Sequence, residues 1–279
     1  MIPSAFGALL AVIAWFIHRY RTGMSISPDG TYYLKAAAKQ PVPSPYSRRW
    51  LLPFLLGTKV RRWEVSTFIS FLCASACLSS WLGFWASFFL VFSTGLGALN
   101  VRLPVLVDMP AFALSVAAAF SAAHGHVWLA VCLSVLAGAC AEKAPVFIAL
   151  WSWNAWCLLG LVGARWIGRT AEPDQPWLKS PFQSARDSRD ILGWKRMLLP
   201  WGGVVVAIPF VDIRALAAIA VAYGQCLIAM DDSRLYQWAM PAVLAALFQN
   251  HHLSPSVLNA ILSSAAVFHI AVLGAHRGT

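Results

Sequence analysis

Ten apolar runs follow one another along this chain, separated mostly by short polar breaks, and that alternation limits the fold more than any motif does. Backbone at membrane depth has no water to bond, so each run must satisfy its N–H and C=O groups inside helices or a closed barrel. The runs are continuous and rich in Ala, Leu and Val, which favours helices over the alternating pattern of barrel strands. Of the 279 residues, 59% are hydrophobic and 11% charged, with mean hydropathy +0.65. Soluble domains carry about 25% charged residues. The expected class is therefore all-α: a polytopic transmembrane helical bundle of about nine or ten spans, forming one domain over residues 1–279.

The runs extend from Ser4 to Ile17, Ser66 to Leu82, Phe84 to Leu99, Pro110 to Ala122, Val127 to Cys140, Ala144 to Gly163, Met197 to Val211, Ala215 to Met230, Tyr236 to Gln249 and Val257 to Gly274. Met197 to Val211 holds Pro200, Gly202, Gly203 and Pro209 and reads as a broken or re-entrant helix. No cleavable signal peptide is expected, because basic residues and no small-residue site follow Ile17. The six cysteines lie inside apolar runs without CxxC spacing, so they read as small core hydrophobes rather than disulfide partners or zinc ligands. Among fourteen tryptophans, Trp50, Trp63, Trp81, Trp85, Trp151, Trp153, Trp166, Trp177 and Trp194 stand near run ends, where an amphipathic ring suits the headgroup layer.

Two connections are long. His18 to Val65 carries Arg19, Arg21, Lys35, Lys39, Arg48, Arg49, Lys59, Arg61 and Arg62 against Asp29 and Glu64; Ala164 to Arg196 carries seven Lys or Arg and four acids. Five runs separate them, an odd number, so they face opposite sides of a membrane, although the positive-inside rule would draw both to the cytoplasm. Cations held on the outer face are expected where that face binds phosphate. The first loop, residues 18–65 with interfacial helices, is accordingly assigned to the external side and residues 164–196 to the cytoplasm. The alternative keeps the first loop cytoplasmic, its charges serving orientation and anionic-lipid contact.

Ionisable residues at the ends of apolar helices mark functional candidates. In Ser27-Pro28-Asp29-Gly30-Thr31-Tyr32-Tyr33-Leu34-Lys35, Asp29 is an acid among cations and fits a general base; a cap on a helix beginning at Gly30 is the structural alternative. In Tyr46-Ser47-Arg48-Arg49-Trp50-Leu51-Leu52-Pro53, the paired arginines can grip a phosphate or snorkel to headgroups. Asp108 and the pair Glu142-Lys143 begin two later helices on the side of the first loop. A carboxylate suits a helix start, but a cation there requires a nearby anion, which singles out Lys143. Asp231-Asp232-Ser233-Arg234 brings Arg234 to the same side if Met197 to Val211 does not cross. His124-Gly125-His126 and His251-His252 fit solvent or headgroup contact better than a metal site, and no Walker or dinucleotide fingerprint is present.

The order Asp-Gly-x-Tyr-Tyr-Leu-x-Ala, Tyr-Ser-x-Arg-x-Leu-x-Pro, Asp-x-Pro-Ala, Glu-Lys and Asp-x-x-Arg, running from Asp29 to Pro241, resembles the GT-C class of polytopic membrane glycosyltransferases that use polyprenyl-phosphate sugars. The resemblance implies Asp29 in the catalytic place, with Arg48, Lys143 and Arg234 as phosphate contacts and Arg49 as a lesser one. Tyr33, Lys35, Asp108 and Glu142 complete the implied substrate-binding set. Gly30 stands where many members carry a second acid, which argues against metal coordination by that motif; no metal residue is assigned, and a divalent metal stays open as a cofactor. The implied reaction is inverting transfer of a sugar to an external glycan or lipid acceptor. It would take place at the external face of a bacterial inner membrane, among membrane lipids and with no nucleic-acid partner, in a minimal form lacking a C-terminal soluble domain. A transporter or flippase of a lipid-linked saccharide is the rival, although its coupling charges belong near mid-membrane between repeated halves. A non-catalytic subunit that binds the lipid carrier is another. A cysteine introduced at Thr31 is expected to react with an impermeant label on intact cells while one at Asp187 stays protected; the reverse pattern contradicts the external assignment.

Overall fold

A computed structural model describes residues 2–43, 46–162, 201, 204, 211–226, 237–248 and 254–275. All secondary structure among them is helical. In chain order the helices are α1 (Ile2–Thr22), α2 (Pro28–Ala37), α3 (Leu51–Leu56), α4 (Val60–Leu82), α5 (Phe84–Val91), α6 (Asn100–Arg102), α7 (Asp108–Ala123), α8 (Val127–Cys140), α9 (Ala144–Ser152), α10 (Ile213–Cys226), α11 (Met240–Phe248) and α12 (Pro255–Ala275). Short turns of helix also cover Tyr46–Arg48, Thr94–Leu99 and Ala155–Gly160. Each expected run except Met197 to Val211 holds one of these elements; of that run only 201, 204 and 211 are among the described residues. Among the described residues one helix, α4, is long and apolar enough to cross a membrane, and α5 with Gly95–Arg102 reaches the same measure only as a pair bent by 58°. A count of nine or ten full spans therefore goes beyond the helix lengths described.

Several boundaries differ from the sequence expectation for local reasons. Helix α1 continues through the basic end of its run to Thr22 and α4 starts at Val60, which narrows the first loop to the stretch between them. The run from Ala144 stops at Ser152 because Trp153 turns left-handed, with φ 52°. The run Phe84 to Leu99 breaks after Val91, and side chains satisfy the backbone freed there. Gln237 Oε1 accepts from Gly95 N at 3.0 Å and Leu96 N at 2.6 Å, Ser93 Oγ accepts from Gly97 N at 2.7 Å, and the Asn100 amide donates to Gly95 O at 3.0 Å. A bend in an apolar setting persists only with such partners.

The helices meet through small residues. Gly7 of α1 lies so close to α4 that an added Cβ would stand 2.6 Å from Ser75 O, and Ser75 Oγ donates to Gly7 O at 2.7 Å. Ser134 of α8 similarly donates to Cys157 O at 2.6 Å. The outward faces are apolar instead: Trp128 is 79% exposed, Val267 72% and Phe16 65%. Two expectations fail against this packing. Trp63 and Trp151 are buried rather than interfacial, Trp63 donating to Gly57 O at 2.8 Å. Cys73 and Cys132 lie on exposed helix faces, whereas Cys140 and Cys157 are in the core.

Gly7→Ala is expected to lower stability by about 1–3 kcal/mol, since the methyl group meets backbone that cannot retreat. Gly224→Ala in α10, with nothing within 4 Å of its Cβ position, is expected to be neutral or stabilising by up to about 1 kcal/mol. Thermal melting of the two purified variants checks the contrast.

Candidate functional site

Three pieces of chain converge at one end of the bundle: the first loop, the start of α7 and the turn between α8 and α9. Helix α2 begins at Pro28, whose fixed φ suits a first helical position, and Ser27 caps it by accepting from Gly30 N at 3.0 Å. The cap is thus Ser27, and Asp29 in the first turn is left to do something else. Its Oδ1 accepts from Tyr46 Oη at 2.6 Å. Gly30 lets the helix sit on the strand of chain before α7, since an added Cβ would stand 2.9 Å from Val105 O.

Tyr46 opens the short helical turn Tyr46–Arg48 and packs between two neighbours from α2. Its ring stacks on Tyr32 at 4.7 Å and meets Tyr33 edge-on at 5.3 Å. Tyr33 is buried and stacks in turn on Trp63 of α4 at 6.1 Å. Arg49 then joins this aromatic group to the α8–α9 turn. Its Nη1 donates to Tyr33 Oη at 2.7 Å and its Nε to Glu142 Oε2 at 3.1 Å, with 22% of the side chain exposed. The next residue of that turn, Lys143, donates to Asp108 Oδ1 at 2.9 Å and lies 4.9 Å from the centre of the buried Trp238 ring. Asp108 is only 5% exposed. The cation at the start of α9 therefore has the anion that its position requires.

Burial pushes the Tyr33 phenol well above its ordinary pKa, against the opposing pull of Arg49. Burial and then the bond to Asp29 raise Tyr46 in the same way. Both stay protonated at physiological pH, so Tyr46 keeps its proton to donate. Burial alone would weaken the charge on Arg49, but Tyr33, Glu142 and Asp108 outweigh it and hold the pKa well above the ordinary value. The guanidinium uses two of its five N–H groups in these bonds.

Of the residues singled out in the sequence, Asp29, Tyr33, Arg49, Asp108, Glu142 and Lys143 come together here. Arg48 and Lys35 are exposed at the edge, Lys35 lying 5.6 Å over the Tyr32 ring. The order of the two arginines is thus inverted: Arg49 enters the cluster, and it is also the arginine of the Tyr-Ser-x-Arg pattern. Arg234 lies outside the described residues. Tyr46 and Trp238 join the site without having been singled out; the Tyr-Ser pattern beside the arginines was the available signal for the first, and nothing local signalled the second. Among the described residues, no three His, Cys, Asp or Glu side chains come close enough to hold a metal ion. His124 and His126 are exposed, as their polar turn suggested.

Compared with models of known families, with curated proteins and with solved structures, the chain matches none.

Lysine keeps the charge of Arg49 but has no planar fork to reach Tyr33 and Glu142 together. Arg49→Lys is expected to reduce stability by about 1–3 kcal/mol, whereas Arg48→Lys at its exposed position stays within about 0.5 kcal/mol. Denaturation of both variants under the same conditions measures the difference.

Proposed function

We propose that this chain is an integral membrane protein that transfers a sugar from a polyprenyl-phosphate donor to a hydroxyl group of an external glycan or lipid acceptor. The membrane part is supported by the large apolar side chains on the outward helix faces, among them Trp128, Val267 and Phe16, together with hydroxyl-bearing residues such as Ser75, Ser87 and Ser134 buried between helices. The single observation that carries the catalytic part is the pairing within one cluster of a half-buried carboxylate, Asp29 oriented by Tyr46, with an arginine fork that keeps unused donors.

In this reading Asp29 accepts the proton of the acceptor hydroxyl as its oxygen attacks the anomeric carbon. The bond from that carbon to the phosphate oxygen breaks in the same step, its electron pair leaves with the lipid phosphate, and configuration inverts. Arg49 and Lys143 meet the charge that grows on the leaving phosphate, a role for fixed cations in a water-poor site. Carboxylates outnumber cations in the described cluster, so the reading also draws on the exposed Arg48 and Lys35 and on Arg234 to balance a phosphate. The external side of the membrane and a bacterial inner membrane belong to the same proposal.

One feature favours a second reading. Arg49 and Lys143 are both already paired with internal carboxylates, as suits a non-catalytic subunit that carries a lipid for a partner enzyme. Asp29→Asn separates the two. Asn preserves size and can still accept from Tyr46, and Ser27 keeps the cap of α2. Loss of a general base lowers turnover by about a hundredfold to ten-thousandfold, so purified Asp29→Asn should lose transfer across a panel of polyprenyl-phosphate sugars while retaining donor binding. Asp29→Glu should recover part of the rate. Near-normal turnover in Asp29→Asn contradicts the catalytic assignment, and a wild-type protein that binds the lipid phosphate but transfers nothing supports the carrier subunit.

A further inference from the structure

The first turn of α4 carries a charge pattern that its helix dipole disfavours. Lys59 stands at its N-cap and Arg61 and Arg62 in its first turn, with no acid there and no side chain capping the exposed N–H groups. Helix N-termini already bear partial positive charge, so three cations there repel the dipole and one another. The acid that follows, Glu64, is taken by Arg19. Among the described residues, no ion pair includes Lys59, Arg61 or Arg62, and all three are exposed.

These cations edge a groove of about 650 Å³ that continues along the outer face of α4. Its floor is apolar: Leu55 is 59% exposed, Ile69 52% and Val65 49%. Arg62, Val65 and Ile69 follow one another at helical spacing, so a single stripe runs from positive charge to hydrocarbon. The corner behind it is fixed, because Gly57 ends α3 at φ 64° and its carbonyl accepts from the buried Trp63.

We propose that this groove binds an anionic glycerophospholipid of the surrounding bilayer, its phosphate on Lys59, Arg61 and Arg62 and an acyl chain along Val65 and Ile69. The complementarity has two parts, and only an amphiphile satisfies both. A free anion leaves the apolar stripe bare, and a zwitterionic lipid brings its own cation to three others. The inference rests on the membrane reading but not on sugar transfer, since none of these residues belongs to the Asp29 cluster.

The test uses the full chain purified in detergent, with native mass spectrometry during titration by dioleoyl-phosphatidylglycerol or dioleoyl-phosphatidylcholine. Phosphatidylglycerol should bind at least about tenfold more tightly, and Arg61→Gln with Arg62→Gln should remove most of that preference. Arg61→Lys with Arg62→Lys should keep it. Val65→Gln with Ile69→Gln should weaken binding severalfold while leaving the preference, and millimolar inorganic phosphate should not displace the lipid. Equal binding of the two lipids, a preference that survives the glutamine pair at Arg61 and Arg62, or displacement by inorganic phosphate overturns the proposal. A wild-type chain that transfers sugar but binds the two lipids equally overturns this site alone.

Discussion

Arg49 is the tie on which the site depends. Through Tyr33 it reaches back into α2, and through Glu142 it reaches a turn 93 residues further along the chain. Removing it would leave a buried tyrosine and a half-buried carboxylate facing each other across an unfilled gap. Replacing one charged partner in such a setting costs more than the bond itself contributes, because the other is left desolvated. Lys143 and Asp108 repeat the arrangement next door, so charge pairs join the first loop, α7 and α9 in addition to the aromatic contact of Phe112 with Trp151. In the proposed membrane setting such pairs matter more, because lipid offers hydrocarbon no incentive to cluster.

The rest of the bundle obeys a complementary rule. Close approach of α1 to α4 at Gly7, and of α8 to the Ala155–Gly160 turn at Ser134, trades side-chain volume for dispersion and for hydroxyl-to-carbonyl bonds. At the break after Val91 the same economy of polar groups appears in a different form, Gln237 supplying the acceptor that the bent backbone lacks. Gln237 is followed by Trp238, which closes an aromatic layer with Phe112, Phe147 and Trp151 under Lys143. The bend and the charged cluster are therefore neighbours in sequence at this one point.

What could be read from the sequence follows the range of the interaction involved. Helix ends fixed by local chemistry were legible: Val127–Cys140 begins after the Gly125 turn and stops where the chain extends at Ala141. The need of Lys143 for an anion was legible from the helix dipole, but not which carboxylate, since Asp108 lies 35 residues away. Adjacent arginines point in different directions, and the resemblance put Arg48 first where packing brings Arg49 into the cluster. The alternative that made Asp29 the cap of α2 lay two residues too late, because Asp29 and Ser27 are both good caps, and Ser27 takes the task while Asp29 accepts from Tyr46. Trp63 sits at the end of an apolar run yet is buried, because the first loop folds back over it.

The central claim is that the cluster of Asp29, Arg49 and Lys143 receives the phosphate of a lipid carrier. It is tested most directly by determining the structure of the purified chain in lipid nanodiscs after incubation with a polyprenyl phosphate. The account predicts phosphate density within hydrogen-bond distance of Arg49 or Lys143, with at least one of the pairs to Glu142 and Asp108 opened to admit it. Bound polyprenyl phosphate at another place, with both pairs intact, would contradict it.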